Sequence, residues 1–112
     1  MKEIKAIVQP FMAEKVISTL HTIPSIPGVT VSEVRGFGKA RASGSATEDE
    51  ADIFGAKKIK LEIVVPDELV EKVTKLITTL AHTGNPGDGK IFVYPVSEVI
   101  RIRTGERGEQ AI

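Results

Sequence analysis

Hydrophobic and polar positions alternate with a period of two from Lys2 to Val8, with Ile4, Ala6 and Val8 on one side and Lys5 and Ile7 on the other. That period predicts a half-buried strand ending before Pro10. Ala13, Val16, Ile17, Leu20 and Ile23 follow at spacings of three and four, which predicts an amphipathic helix over roughly 11–22, stopped by Pro24 and Pro27. Alternation returns from Gly28 to Val34 and runs to Gly36-Phe37-Gly38, where paired glycines release the backbone from a sheet. Residues 39–56 show no period: a small, polar part, Lys39 to Thr47, precedes the acidic Glu48-Asp49-Glu50-Ala51-Asp52. Such a stretch has too little apolar surface to order itself, and a loop of this length inside a small domain is usually functional.

Lys58 to Val65 alternates again before Pro66, and Asp67-Glu68 place negative charge at the start of a second helix carrying Leu69, Val73, Leu76, Ile77 and Leu80 on one face. A turn-rich segment ends that helix, and Ile91 to Tyr94 forms a fourth strand. The element order is βαβ, long loop, βαβ. Lys-Ile-Lys before an apolar run, and Val-Ser-Glu-Val at 31–34 and 96–99, occur in both halves and suggest two equivalent units. The simplest packing is α+β: a ferredoxin-like βαββαβ sandwich, with a four-stranded antiparallel sheet and both helices on one face. The other sheet face needs cover, which a second copy of the chain would supply.

Composition narrows the chemistry. With 112 residues the chain fits one domain. Fifteen basic and fifteen acidic residues cancel, so nothing in the bulk charge favours nucleic acid or an anionic membrane, and any anion site must be local. The chain has no cysteine, which excludes disulfides, thiolate metal sites and thiol catalysis. No apolar run approaches the ~20 residues of a membrane span, and the start leads into strand alternation, so the expectation is a cytoplasmic protein without direct membrane insertion.

The most distinctive stretch is Thr83-Gly84-Asn85-Pro86-Gly87-Asp88-Gly89-Lys90. Three glycines and a proline in eight residues make a turn-rich loop with exposed N–H groups, and Lys90 adds a cation beside them, the combination that holds phosphate oxygens. It is not a Walker A loop, because no Ser or Thr follows Lys90 and the lysine opens a strand. Alone, a Gly/Pro connection before a strand is more often a plain turn. In Val99-Ile100-Arg101-Ile102-Arg103-Thr104-Gly105-Glu106, an extended chain would put Arg101 and Arg103 on one side, where they could converge with Lys90 on a polyphosphate. For an isolated Arg-x-Arg, an exposed edge strand with solvated arginines is the commoner arrangement. The acidic run 48–52 lacks the spaced oxygens and glycine of an EF-hand, and His21 and His82 have no ligand spacing, so no metal site is assigned.

Taken together, these motifs resemble the PII signal-transduction proteins. The likeness rests on Gly36-Phe37-Gly38 before a long loop, on Thr83-Gly84 with Gly87-Asp88-Gly89-Lys90-Ile91-Phe92-Val93, and on Val99 to Glu106, and it extends to Pro10-Phe11, Val31 to Val34 and Ala111-Ile112. The resemblance implies a homotrimer of ferredoxin-like subunits with adenine nucleotides (ATP, ADP or AMP) in the clefts between neighbours. It also implies a T-loop at about 39–56 that docks on a target protein, a B-loop at about 82–90 and a C-terminal loop at about 98–112. Matched position by position, phosphate contacts fall on Gly87, Asp88, Gly89, Lys90, Arg101 and Arg103. Thr30, Glu62, Ile63 and Val64 would line adenine and ribose, Gly38 and Lys39 would approach from the loop base, and Lys58 matches a lysine that helps hold 2-oxoglutarate.

Departures from the family pattern lie in the loop. Lys39 stands where arginine is usual, keeping the charge without the planar fork. Ala40 stands where a glutamine helps hold magnesium and 2-oxoglutarate, and a methyl group cannot coordinate a metal, so the 2-oxoglutarate response is expected to be weak or absent. Tyr94, the one tyrosine, falls on a predicted core strand, so uridylylation of a loop tyrosine is not expected. Ser43, Ser45 and Thr47 offer hydroxyls for phosphorylation, but small hydroxyl residues in such loops are usually only solubilising. The resemblance is thus to a divergent member with an atypical T-loop, of a subgroup that accompanies membrane transporters. Two alternatives stand beside this non-enzymatic regulator: a slow nucleotide hydrolase using Asp88 or Glu62, and a ligand-free structural or metal-tolerance trimer.

Overall fold

The computed structural model describes residues 1–37 and 55–112. Four strands, β1 (Lys2–Val8), β2 (Thr30–Gly36), β3 (Ala56–Val65) and β4 (Gly89–Pro95), form one antiparallel sheet in the order β2-β3-β1-β4. Helices α1 (Pro10–Leu20) and α2 (Val70–Ala81) complete the βαββαβ order of the ferredoxin-like sandwich. The helix read over 11–22 stops at Leu20, and Ile23 is buried beyond it, in a turn where its N–H reaches the Leu20 carbonyl oxygen at 3.1 Å. Asp67–Leu69 is a separate turn of 3-10 helix ahead of α2, and Asp67 there accepts a 2.8 Å hydrogen bond from the Met1 amino group.

The strand register explains the alternation. Ile4, Ala6 and Val8 of β1 and Leu61, Ile63 and Val65 of β3 are buried, and they meet Ala13, Val16 and Leu20 of α1 and Val73, Ile77 and Ala81 of α2. Both helices therefore cover one face. Cross-strand pairing puts Lys5 opposite Glu62 and Phe92, and Ile7 opposite Lys60 and Lys90, so these side chains share the opposite, uncovered face. On that face the Lys5 ammonium lies 5.4 Å from the Phe92 ring centroid and 4.9 Å from that of Tyr94.

Two expectations change here. Tyr94 is not a core residue: β4 is an edge strand, and Tyr94 is 38% exposed on the uncovered face. Ala56 already belongs to β3, so the aperiodic loop ends before it; Gly38, Lys39, Ala40, the three loop hydroxyls and the acidic run lie outside the described residues. Among the described residues, no helix is long and apolar enough to cross a membrane.

Candidate functional site

The glycine-rich segment folds as its composition requires. Gly84, Gly87 and Gly89 all take positive φ, at 88°, 98° and 103°. A Cβ on Gly89 would overlap the Ile7 carbonyl oxygen, so only glycine lets the chain turn here and enter the sheet beside β1. Asp88 closes the loop on itself. Its carboxylate accepts the Thr83 N–H at 2.7 Å, the Gly84 N–H at 3.0 Å and the Thr83 hydroxyl, and His82 Nδ1 lies 3.8 Å away. Hydrogen bonds from Thr83, side chain first and then backbone, hold the Asp88 carboxyl below the usual carboxylate range.

A second tie comes from β3. Lys58 Nζ donates to the Gly87 carbonyl oxygen at 2.6 Å, and partial burial lowers the Lys58 pKa while nearby Asp88 opposes that shift. With Gly36, Phe37, Asn85 and Phe92, the loop residues Gly87 to Lys90 and Lys58 line an open cavity of about 830 Å³. Lys90, exposed at the start of β4, lies on its rim with Lys58 as a second cation.

Another cavity, of about 380 Å³, gathers the second set of candidate residues. Thr30, Glu62, Ile63 and Val64 line it with Val99 and the C-terminal Ala111 and Ile112. Pairing with β2 ends at Thr30 opposite Glu62, so β3 runs three residues past its neighbour and leaves its edge at Ile63 and Val64 open to this cavity. The Ile63 side chain is 2% exposed and points into the core, which leaves its backbone as the part that can face a ligand. Glu62 lies 3.6 Å from Lys60 on the uncovered face.

The arginine pair departs from the sequence expectation. The chain does not stay extended through 101–103: Ile102 to Thr104 form a turn in which the Gly105 N–H reaches the Arg101 carbonyl oxygen at 2.7 Å, and Ile100 pairs with Arg107. The turn forms because Gly105 supplies a positive φ of 75° and Glu106 caps it, accepting a 3.0 Å bond from the Thr104 hydroxyl. Arg101 turns back to Glu106 at 3.0 Å, while Ile102 is 98% exposed at the tip.

The structure thus brings Gly87, Asp88, Gly89, Lys90 and Lys58 together at one cavity, and Thr30, Glu62, Ile63 and Val64 at another whose lining shares no residue with the first. Neither lining includes Arg101 or Arg103. Sequence reasoning missed the Asp88 clasp, the Lys58 tie to Gly87 and the C-terminal wall. The one local cue was Thr83 five residues before Asp88, the bracketing of a turn by a hydroxyl and a carboxylate. Among the described residues, no group of three His, Asp or Glu side chains could hold a metal ion.

Comparison with known proteins gives the family. The model of the family described as Nitrogen regulatory protein P-II matches residues 1–106. The nitrogen regulatory protein P-II of Azospirillum brasilense is 46% identical over the whole of both chains, and P-II 1 of Escherichia coli is 44% identical over the same full span. The Arabidopsis thaliana P-II homolog is 52% identical over 97% of this chain and 56% of its own length. The crystal structure of Arabidopsis thaliana PII bound to citrate superposes with a TM-score of 0.80 at 50% identity, covering 99% of this chain and 91% of that one. These relatives carry the general P-II name, and none of them points to a divergent, transporter-associated subgroup. With the fold, the loop motif and full-length relatives in agreement, the chain belongs to the nitrogen regulatory protein P-II family of signal-transduction regulators.

Proposed function

We propose that this protein is a non-enzymatic regulator that binds ATP or ADP in clefts between the subunits of a homotrimer and reports the bound nucleotide to a target protein through residues 39–55. The observation that carries this reading is the separation of the two half-sites. Lys90 and its glycine loop offer cations and N–H groups for phosphates, whereas Thr30, Glu62 and the open β3 edge offer a carboxylate, a hydroxyl and backbone groups for ribose and base. Within one chain these halves line different cavities, and a neighbouring subunit is the natural means of completing each one.

The clasp at Asp88 argues for regulation over hydrolysis. Its carboxylate accepts three hydrogen bonds from its own loop and is held below the usual carboxylate range, which makes it a weak proton acceptor at neutral pH. The target is a protein whose surface reads residues 39–55, such as a metabolic enzyme or a membrane transporter. Ala40 offers no side-chain atom to ligate magnesium, so 2-oxoglutarate adds little.

Calorimetry with ATP, ADP and AMP, with and without 2-oxoglutarate and magnesium, tests this reading. Nucleotide heat that falls about 10- to 100-fold in affinity on Lys90→Ala is expected, because bonds to charged groups are worth about 1.5–3 kcal/mol. No heat with any nucleotide would leave only the ligand-free structural trimer. Phosphate release at an ordinary enzymatic rate, abolished by Asp88→Asn, would replace the regulator with a hydrolase.

A further inference from the structure

Asp88-Gly89 is the one Asp-Gly step in the chain, and Asn-Gly does not occur. Steps of this type are the most prone to attack by their own backbone, because glycine has no side chain to shield its nitrogen from the preceding carboxyl. Here the step lies in the turn that enters β4, with the Asp88 side chain 23% exposed. Both oxygens of that side chain are engaged. Oδ2 accepts the Thr83 N–H at 2.7 Å and the Gly84 N–H at 3.0 Å, and Oδ1 accepts the Thr83 hydroxyl. All three donors lie on the N-terminal side of Asp88, whereas the nitrogen able to attack its carboxyl belongs to Gly89. Gly89 is itself held close to β1, since a carbon added to it would meet the Ile7 carbonyl oxygen.

We infer that Asp88-Gly89 is a latent isoaspartate site, and that the clasp from Thr83 is the guard that keeps its carboxyl from the Gly89 nitrogen. In the unguarded step the Gly89 nitrogen bonds to Asp88 Cγ, the Cγ–OH bond breaks, and water leaves with the proton of that nitrogen, closing a succinimide ring. Water then adds to one of the two ring carbonyls. Addition at Cγ restores aspartate, whereas addition at the α-carbonyl breaks the original peptide bond and leaves the chain running through Cγ with a free α-carboxylate. The product is an isomer, so no oxidant or other co-reactant is needed. Ring closure requires a neutral acid turned toward Gly89, because a carboxylate is a poor electrophile. The clasp opposes both requirements: its hydrogen bonds favour the ionised form, and they must break before the carboxyl turns. The β-linkage would add a methylene to the main chain where β4 enters the sheet without spare room, so the clasp and the close approach of Gly89 are lost together. Its free α-carboxylate is the group that an isoaspartyl carboxyl methyltransferase takes as substrate, which makes an enzyme of that class the expected partner of aged chains. None of this depends on the proposed nucleotide site.

Ageing the full chain for weeks at neutral pH in heavy-oxygen water tests the assignment, with isoaspartate located by peptide mass spectrometry and counted by enzymatic methyl transfer from S-adenosylmethionine. Folded wild type is compared with the same chain unfolded in guanidinium chloride, and with folded Thr83→Val and Thr83→Ser. Unfolded chains are expected to convert at Asp88, taking up one heavy oxygen, while Asp67 stays unchanged. Folded wild type is expected to convert at least about ten-fold more slowly, the factor that opening one hydrogen bond to a charged group sets. Thr83→Val, which loses the hydroxyl donor, should convert about three- to ten-fold faster than wild type, and Thr83→Ser, which keeps it, should not. Converted chains should exchange the Thr83 and Gly84 amides rapidly. Equal rates in folded and unfolded wild type would remove the guard, and no isoaspartate at Asp88 in either would remove the site. If folded Thr83→Val stays as slow as wild type, the packing of Gly89 on Ile7 is the barrier and the role given to Thr83 is wrong. The wild-type comparison needs no substitution, so it decides the guard even if Thr83→Val fails to fold.

Discussion

The Lys58 ammonium donates to the carbonyl oxygen of Gly87 at 2.6 Å, so the strand that resumes after residues 38–54 holds the glycine loop directly. Tension or rotation at the start of β3 therefore reaches the loop through one side chain, with no intervening residue. Burial sets the Lys58 pKa below its ordinary 10.5, against the pull of Asp88. Between that lowered value and 10.5 the unfolded chain binds more protons than the folded one, so this group adds stability as pH rises through the window. Urea unfolding from pH 8 upward should show wild type gaining on Lys58→Met across that range. A constant difference between the two would mean that the lysine is solvated and the tie to Gly87 is not kept.

Asp88 has the opposite sign in the acid range. Its folded pKa lies below 3.8, so the clasp on Thr83 and Gly84 is present at and above that value and is lost as pH falls through the lowered one. Exchange of the Thr83 and Gly84 amides should accelerate only below about pH 3.8 in wild type. Asp88→Ala should show the fast rate at neutral pH, with the global melting temperature nearly unchanged because the loop is exposed. Slow exchange in Asp88→Ala would show that the glycines alone hold the loop.

Gly89 should tolerate no side chain. Its φ is 103°, and a Cβ there meets backbone, which cannot rotate away. Gly89→Ala is expected to cost on the order of 2–3 kcal/mol in denaturant unfolding, combining left-handed strain with displacement of β4 from β1. Gly28→Ala, where nothing lies within 4 Å of the added carbon, serves as the matched control and should cost little. Equal stability of the two variants would contradict the close approach.

The uncovered sheet face predicts assembly. Ile7, Val64, Phe92 and Tyr94 share it with Lys5, Lys60 and Glu62, a mixture suited to a buried but charge-paired contact between copies. Sedimentation should give three times the 12.1 kDa chain mass, and Phe92→Glu should shift the population toward monomer. A wild-type monomer at micromolar concentration would remove the inter-subunit cleft and, with it, the proposed nucleotide site.

The periodicities of two and three-to-four determined the strands, the helices and their order, because burial of one face is written into every second or every third and fourth residue. Lys2–Val8 was readable to the residue for that reason. The glycines of the 83–90 loop and the cation after them were equally plain, since backbone freedom and charge are properties of the residues themselves. What the sequence could not decide was pairing. That Asp88 closes its own loop, that Lys58 reaches Gly87, and that Arg101 turns back to Glu106 all depend on distances set after the chain has folded. The turn at Ile102 to Thr104 shows why: alternation along Ile100-Arg101-Ile102-Arg103 favoured an extended segment, but a positive-φ Gly105 and the Glu106 cap outweighed that local preference. Local pattern fixes which face a residue prefers, and only tertiary contact fixes which partner it finds there.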